Sequence, residues 1–291
     1  MRLVSIAGSA GGPTPGVLVE SPEGDRVLAL DGTMENLLSA DASLAVARLR
    51  SERADAAALP LLAKVALLPP VRPRFILCLG YNYRGHRPSG ADAADPDPEF
   101  PNVFVKTPNT VIGPRDDVVL PPASAHTDYE GEIALVIGRR AHEVPLTTAS
   151  EHIAGYTLFN DVSSRDWQDR SSQWELGKCF HGFGPLGPWI VTADDVPDPH
   201  DLLVEVLRDD RITVSQSTST LVFRMEYLVH YLSQVMALEP GDVISTGSPQ
   251  KLPDALAAHR PLADGDSVTI RVSGVGELTT RFVNRTSKGH S

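Results

Sequence analysis

Residues 128–138 read Asp-Tyr-Glu-Gly-Glu-Ile-Ala-Leu-Val-Ile-Gly, and this run decides more about the fold than any other. Its second half, Ile133 to Ile137, is an unbroken apolar series of strand formers. It predicts a β-strand entering a core, with Glu130 and Glu132 at the mouth. Side chains alternate along a strand that rises roughly 3.3 Å per residue, so the two glutamates face one side with Cα atoms about 6.6 Å apart. Two carboxylates facing one spot repel each other and resist desolvation, so either a cation or bulk water must lie between them. A hard divalent ion meets that need, because Mg²⁺ or Mn²⁺ takes oxygen ligands and keeps positions open for a substrate. A charged strand end standing in solvent meets it too.

Composition bounds what else can bind. The chain of 291 residues has a formal net charge of -11, which argues against nucleic acid or an anionic membrane surface as a partner. Its length allows one large domain, or one with a smaller companion. Cys78 and Cys179 are too few for a disulfide framework and fit a reducing compartment. The opening segment is broken by Glu20, Glu23, Asp25 and Arg26, and no apolar run is long enough for a signal peptide or a membrane span. A soluble cytoplasmic protein is therefore expected. Of 26 basic residues only Lys64, Lys106, Lys178, Lys251 and Lys288 are lysines, so each stands out against arginine.

Residues 1–70 read as a small N-terminal α/β domain capping the rest. Short strands near 3–6, 15–19 and 26–30 are broken by Gly/Pro turns, and a helical pattern follows from about 43 to 62. Pro69, Pro70 and Pro73 then mark a linker. The main domain, 71–286, opens on an apolar strand at 75–80, with Tyr81-Asn82-Tyr83-Arg84-Gly85-His86 just beyond it, where sites are commonly built. Residues 87–101 hold prolines and acids without periodicity and are expected to form a flexible lid. Further strands are expected at 103–106, 117–121, 155–161, 190–191, 202–207, 267–272 and 277–283, with a strand followed by a turn over 243–249. The glycine- and proline-rich run 176–189 reads as turns. The best helix covers 224–238, with Met225, Leu228, Val229, Leu232, Val235 and Met236 in one stripe. Strands outnumber helices, so an α+β fold with a mixed, curled sheet is expected.

Several separated motifs recur in order: Gly-Tyr-Asn-Tyr-(x)₂-His at 80–86, Asp-Tyr-Glu-Gly-Glu at 128–132, Gly-Tyr-Thr-Leu-Phe-Asn-Asp-Val-Ser at 155–163 and Arg-Asp-Trp-Gln at 165–168. Gly-Lys at 177–178, Pro-Leu-Gly-Pro-Trp at 185–189 and Glu-Pro-Gly-Asp-Val-Ile-Ser-Thr-Gly at 239–247 follow. Through them the chain resembles the fumarylacetoacetate hydrolase family over about residues 72–283. The resemblance implies a β-rich roll, the fumarylacetoacetase C-terminal-like fold, often assembled as a homodimer. It implies Mg²⁺, with Mn²⁺ or Ca²⁺ as alternatives, held by Glu130, Glu132 and Asp161. It makes Lys178 the contact to a substrate oxyanion and His86 the base that activates water. Tyr81, Arg165, Gln168, Thr218 and Ser248 become substrate-facing groups, and Trp167, Trp174 and Trp189 read as packing.

The implied chemistry starts from a keto acid that chelates the ion through its carboxylate and adjacent keto or enol oxygen, so that an enolate is stabilised. Two departures from the family pattern bear on it. Hydrolases of the family often carry a glutamate three residues after the histidine, where this chain has Ser89 after Pro88, and a neutral hydroxyl cannot stabilise an imidazolium. His181 and Gly182 replace an acid and a threonine in the lysine loop. The first expectation is metal-dependent cleavage of a carbon-carbon bond, by hydrolysis or decarboxylation, in a small keto or diketo acid. The second is an isomerase or tautomerase that only enolises such an acid. The third is a non-catalytic ligand-binding relative.

Overall fold

The computed structural model describes residues 1–8, 11–87, 92 and 95–285. At its centre lies the strand Gly131–Ile137, buried along its whole length as the apolar run requires. It pairs antiparallel with Ile153–Asn160 on one side and Val243–Ser245 on the other. Ile76–Gly80 adds parallel to Val243–Ser245, and Asn102–Lys106 adds antiparallel to Ile76–Gly80. On the other flank Gly184–Thr192 pairs with Ile153–Asn160 and passes the sheet on to Arg2–Ala7, Pro13–Val19 and Arg26–Ala29. Among the described residues this mixed sheet has eleven strands. Residues 1–70 thus share their sheet with the main body. They also share a core, because Met34, Leu37 and Leu38 cluster with Ile76, Ala134 and Val243. Leu67 and Leu68 pair with Ile6 and Ser5 before the prolines end the ladder.

A second sheet runs in the order Arg211–Ser217, Leu203–Arg208, Ser267–Val272, Gly276–Asn284 and Val118–Leu120. Its strands bury alternate residues, so Val204, Val206, Val268 and Ile270 face the first sheet and cluster with Ile133, Leu135 and Leu158. Where the sheets meet, a Cβ on Gly131 would stand 2.5 Å from Val206 Cγ2 and 2.8 Å from Ile270 Cγ1. The glycine between the two glutamates therefore lets the second sheet close on one face, while Glu130 and Glu132 project from the other. The fold is α+β, with short helices at the margins. No helix among the described residues is long and apolar enough to cross a membrane.

The helix expected over 224–238 is shorter and spans Met225–Ser233. The Ser233 carbonyl accepts from Glu143 N at 2.8 Å and its hydroxyl accepts from Val144 N at 3.1 Å, so a neighbouring loop takes the groups that would extend the helix. Val235, expected in the apolar stripe, is 74% exposed. The run expected as turns ends in the strand Gly184–Thr192. Pro188 fits there because pairing with Ile153–Asn160 slips register between Tyr156 and Leu158, where a missing N–H costs least. Of the expected lid, residues 88–91, 93 and 94 lie outside the described residues, Ser89 among them. From its base, Arg84 Nη1 reaches Asp97 Oδ2 at 2.9 Å.

Candidate active site

Two strand ends bring the carboxylates together. Glu130 and Glu132 flank the start of Gly131–Ile137, and Asp161 directly follows Ile153–Asn160, its N–H donating to the Glu130 carbonyl at 2.8 Å. One oxygen from each of Glu130, Glu132 and Asp161 lies within 4.8 Å of the others. Glu132 Oε2 accepts from Ser245 Oγ at 2.5 Å and from Gly247 N at 2.9 Å. Lys178 Nζ donates at 2.6 Å to both Glu130 Oε2 and Asp161 Oδ2. It gets there because Gly177 lets Glu175–Lys178 press against Arg165–Gln168; a Cβ on that glycine would stand 2.6 Å from Gln168 N.

An alternating string of charges continues from this cluster. Lys106 Nζ, fully buried, donates to Asp161 Oδ1 at 2.7 Å and to the Val162 carbonyl at 2.9 Å. Arg165 Nη2 donates to Glu130 Oε1 at 2.7 Å and to Asp128 Oδ2 at 2.9 Å, and Lys251 Nζ donates to Asp128 Oδ1 at 2.6 Å. Burial alone would push the Glu130 carboxyl up, but Arg165 and Lys178 outweigh it and hold the group well below the usual carboxylate range. The same contest leaves Asp128 at about 2, with Lys251 and Arg165 as the opposing cations. Burial would lower the Lys178 ammonium, yet Asp161 and Glu130 raise it, so it stays charged. Glu132 differs. Burial, then the charges of Asp161 and Glu130, push its carboxyl well above the usual range; its hydrogen-bond donors, Ser245 and Gly247, are neutral, and the more distant charge of Lys178 does not offset the rest.

The donor set fits a hard divalent cation. Its ligand atoms are carboxylate oxygens, two from one strand and a third tied to that strand through its backbone. A divalent ion would leave the trio with one negative charge, which the Lys178 ammonium balances, and would give Glu132 a direct cationic partner.

Tyr81, His86, Glu130, Arg165, Gln168, Lys178 and Ser248 line one cavity of about 750 Å³. Glu132 and Asp161 lie buried beside Glu130, behind the lining residues. His86 Nδ1 lies 2.7 Å from the Ser248 carbonyl oxygen, and Gln168 Oε1 accepts from Arg165 Nη1 at 3.0 Å. Tyr81 holds its backbone at φ 57°, a conformation that bulky residues rarely adopt and that turns the chain as it leaves Ile76–Gly80. Thr218, expected to face substrate, lies away from the cavity wall; its Oγ1 accepts from Leu202 N and donates to the Pro199 carbonyl, both at 2.9 Å. Trp174, read as packing, does pack edge-on against Phe104 and Tyr81, and it also forms cavity wall. Lys106, Asp128, Lys251 and His259 had no assigned role in the sequence reading. The two lysines were signalled only by the scarcity of lysine, Asp128 only by its place at the head of the Asp-Tyr-Glu-Gly-Glu motif, and His259 by nothing in the sequence.

A sequence model described as fumarylacetoacetate (FAA) hydrolase C-terminal matches residues 75–283. The chain belongs to the fumarylacetoacetate hydrolase family. Human mitochondrial oxaloacetate tautomerase FAHD2A is 40% identical over 263 residues, covering 87% of this chain and 81% of its own. Among solved structures, 5-carboxymethyl-2-hydroxymuconate delta-isomerase from Mycobacterium smegmatis matches with a TM-score of 0.79 and 33% identity, over 98% of this chain and 100% of that one. A fumarylacetoacetate hydrolase from psychrophilic Exiguobacterium antarcticum matches with a TM-score of 0.80 and 29% identity, over 98% and 100%. The likeness extends beyond the motif-bearing stretch to the N-terminal strands. This chain is thus an enzyme of the fumarylacetoacetate hydrolase family. Such enzymes typically use a divalent metal, and Glu130, Glu132 and Asp161 are the residues that would hold it.

Proposed function

We propose that this member of the fumarylacetoacetate hydrolase family is a metal-dependent tautomerase or isomerase of a small 2-keto acid. The reading rests on the setting of His86, whose Nδ1 lies 2.7 Å from the Ser248 carbonyl while the ring lines the cavity of Glu130, Arg165 and Lys178. A carbonyl only accepts, so Nδ1 carries the proton and Nε2 is the basic nitrogen. Hydrolysis asks that base to activate water and gains from a carboxylate behind the imidazolium, which a carbonyl does not supply. Enolisation asks only for a base and a stabilised oxyanion. Names of relatives support it over the carbon-carbon cleavage expected first: one is called an oxaloacetate tautomerase and another a delta-isomerase.

In this reading His86 Nε2 removes a proton from the carbon beside the keto group. The C–H electron pair becomes the enolate double bond and the keto oxygen takes the negative charge. Lys178, kept charged by Asp161 and Glu130, acts as a fixed cation toward that oxygen and is a poor proton donor. The imidazolium returns the proton to the oxygen, so one C–H bond is exchanged for one O–H bond. Arg165, oriented by Asp128 and Glu130, with Gln168 beside it, positions the carboxylate of the acid. A divalent ion on Glu130, Glu132 and Asp161 would add Lewis-acid stabilisation of the same oxyanion.

The test follows enol-oxaloacetate ketonisation by ultraviolet absorbance, methylene deuterium exchange by NMR, and carbon dioxide release, all with Mg²⁺ present. Exchange and ketonisation are expected to outrun cleavage, and His86→Asn is expected to slow exchange about 10²- to 10⁴-fold. Cleavage of a keto or diketo acid faster than exchange would overturn the proposal.

A further inference from the structure

We propose that Lys251 and His259 form a second anion subsite beside Asp128, and that it selects keto acids carrying a distal carboxylate. The inference rests on the keto-acid reading above and adds the class of substrate. Both residues line the cavity that holds Glu130 and Lys178. The Lys251 side chain is only 12% exposed, and its ammonium sits over the Tyr129 ring, 4.3 Å from the centroid. Of its three donors, one goes to Asp128 Oδ1 at 2.6 Å; His259 Nδ1, at 3.5 Å, is too distant for a strong bond. With the aromatic ring on one side, the unspent donor capacity is available to the cavity.

A salt bridge serving only to neutralise Asp128 does not account for this lysine. Arg165 already meets that carboxylate through Nη2 at 2.9 Å and Nε at 3.2 Å. The charge balance points the same way. Lys106, Lys178, Arg165 and Lys251 offset Asp128, Glu130, Glu132 and Asp161 one for one. On the wall and at its edge, Arg84 and Arg87, which both pair with Asp97, balance the charges of Asp97 and Asp169. A divalent ion therefore leaves the cavity with two positive charges, the complement of a ligand with two carboxylates. One carboxylate, next to the keto group, belongs at the trio and Arg165, and the other belongs at Lys251. The segment presenting Lys251 and His259 is anchored where Leu252 N donates to the Thr213 carbonyl at 2.8 Å, ahead of the short helix Pro253–Ala257. The subsite is thus held in place although much of that segment is exposed.

The experiment is calorimetric titration of the Mg²⁺-loaded protein with 2-ketoglutarate, 2-ketovalerate and oxalate. The two keto acids share a carbon chain and differ by the distal carboxylate, and oxalate reports on the metal end alone. The parent is expected to prefer 2-ketoglutarate. Lys251→Met is expected to reduce that preference about tenfold to a hundredfold, the worth of one charge-assisted hydrogen bond, with oxalate affinity kept within about twofold. Lys251→Arg should retain most of the preference, and His259→Asn should lose a smaller part. Equal parental affinity for the two keto acids, or a Lys251→Met variant that weakens all three ligands alike, would overturn the subsite. If the parent binds oxalate but neither keto acid, the keto-acid reading fails and the subsite falls with it, so the two failures can be told apart.

Discussion

Glu132 sets stability against function within one side chain. Burial, then Asp161 and Glu130, push its carboxyl well above the usual range, so ionising it in the metal-free fold costs free energy. For an acid whose folded pKa is raised, stability declines as pH rises from the ordinary carboxylate value through the raised one. Glu132→Gln removes the charge and keeps an acceptor for Ser245 Oγ and Gly247 N. Without metal, that variant is expected to melt above the parent at about pH 8, the gap closing near pH 4 where both are neutral. It is also expected to lose the Mg²⁺-induced rise in melting temperature shown by the parent. Thermal scans with and without Mg²⁺ check both arms, and a metal-free variant melting lower at pH 8 contradicts the electrostatic account. The carboxylates themselves were legible because alternation and strand ends are local properties. Lys106 and Lys251 were visible only as rare lysines, since their carboxylate partners lie 55 and 123 positions away.

At the scale of elements, Gly131 ties the site to the packing of the sheets. The sequence showed a strand there but no reason for glycine between two glutamates. That reason lies in Val206 and Ile270, which come from the other sheet. Gly131→Ala places a methyl 2.5 Å from Val206 Cγ2, inside a core where neighbours have little room to shift. The variant is expected to lose about 1–3 kcal/mol of stability in urea denaturation, a typical cost of overpacking, and to bind Mg²⁺ less tightly because both glutamates move with the strand. An unchanged urea midpoint with unchanged Mg²⁺ affinity would mean that the second sheet yields without disturbing the site. The misread elements follow the same logic of distant partners. The helix Met225–Ser233 ends early because Glu143 and Val144 bond to Ser233, and Gly184–Thr192 is a strand because Arg2–Ala7 and Ile153–Asn160 flank it. Composition near either segment records none of this.

Over the whole molecule, a net charge of -11 coexists with a cavity in which cations and carboxylates alternate. The global charge says nothing about this local order. Nor did the chain order reveal that its first strands complete the sheet whose centre holds the glutamates. Because the string links Lys251, beyond the second sheet, to Lys106 in the first, its ionisation bears on the stability of the assembled fold. Asp128 is held at about 2 against an ordinary 3.8, and Glu130 is also held below its usual range. A depressed carboxyl contributes stability that is complete above the ordinary pKa and is lost as pH falls through the folded one. The parent is therefore expected to lose stability between about pH 4 and pH 2, with roughly 2 kcal/mol of the loss from Asp128. Asp128→Asn leaves Lys251 without its carboxylate and should lower the urea midpoint at about pH 7, yet flatten the decline at acid pH. Midpoints measured across that range decide it, and pH profiles running parallel for parent and variant would show that Asp128 does not carry the acid sensitivity.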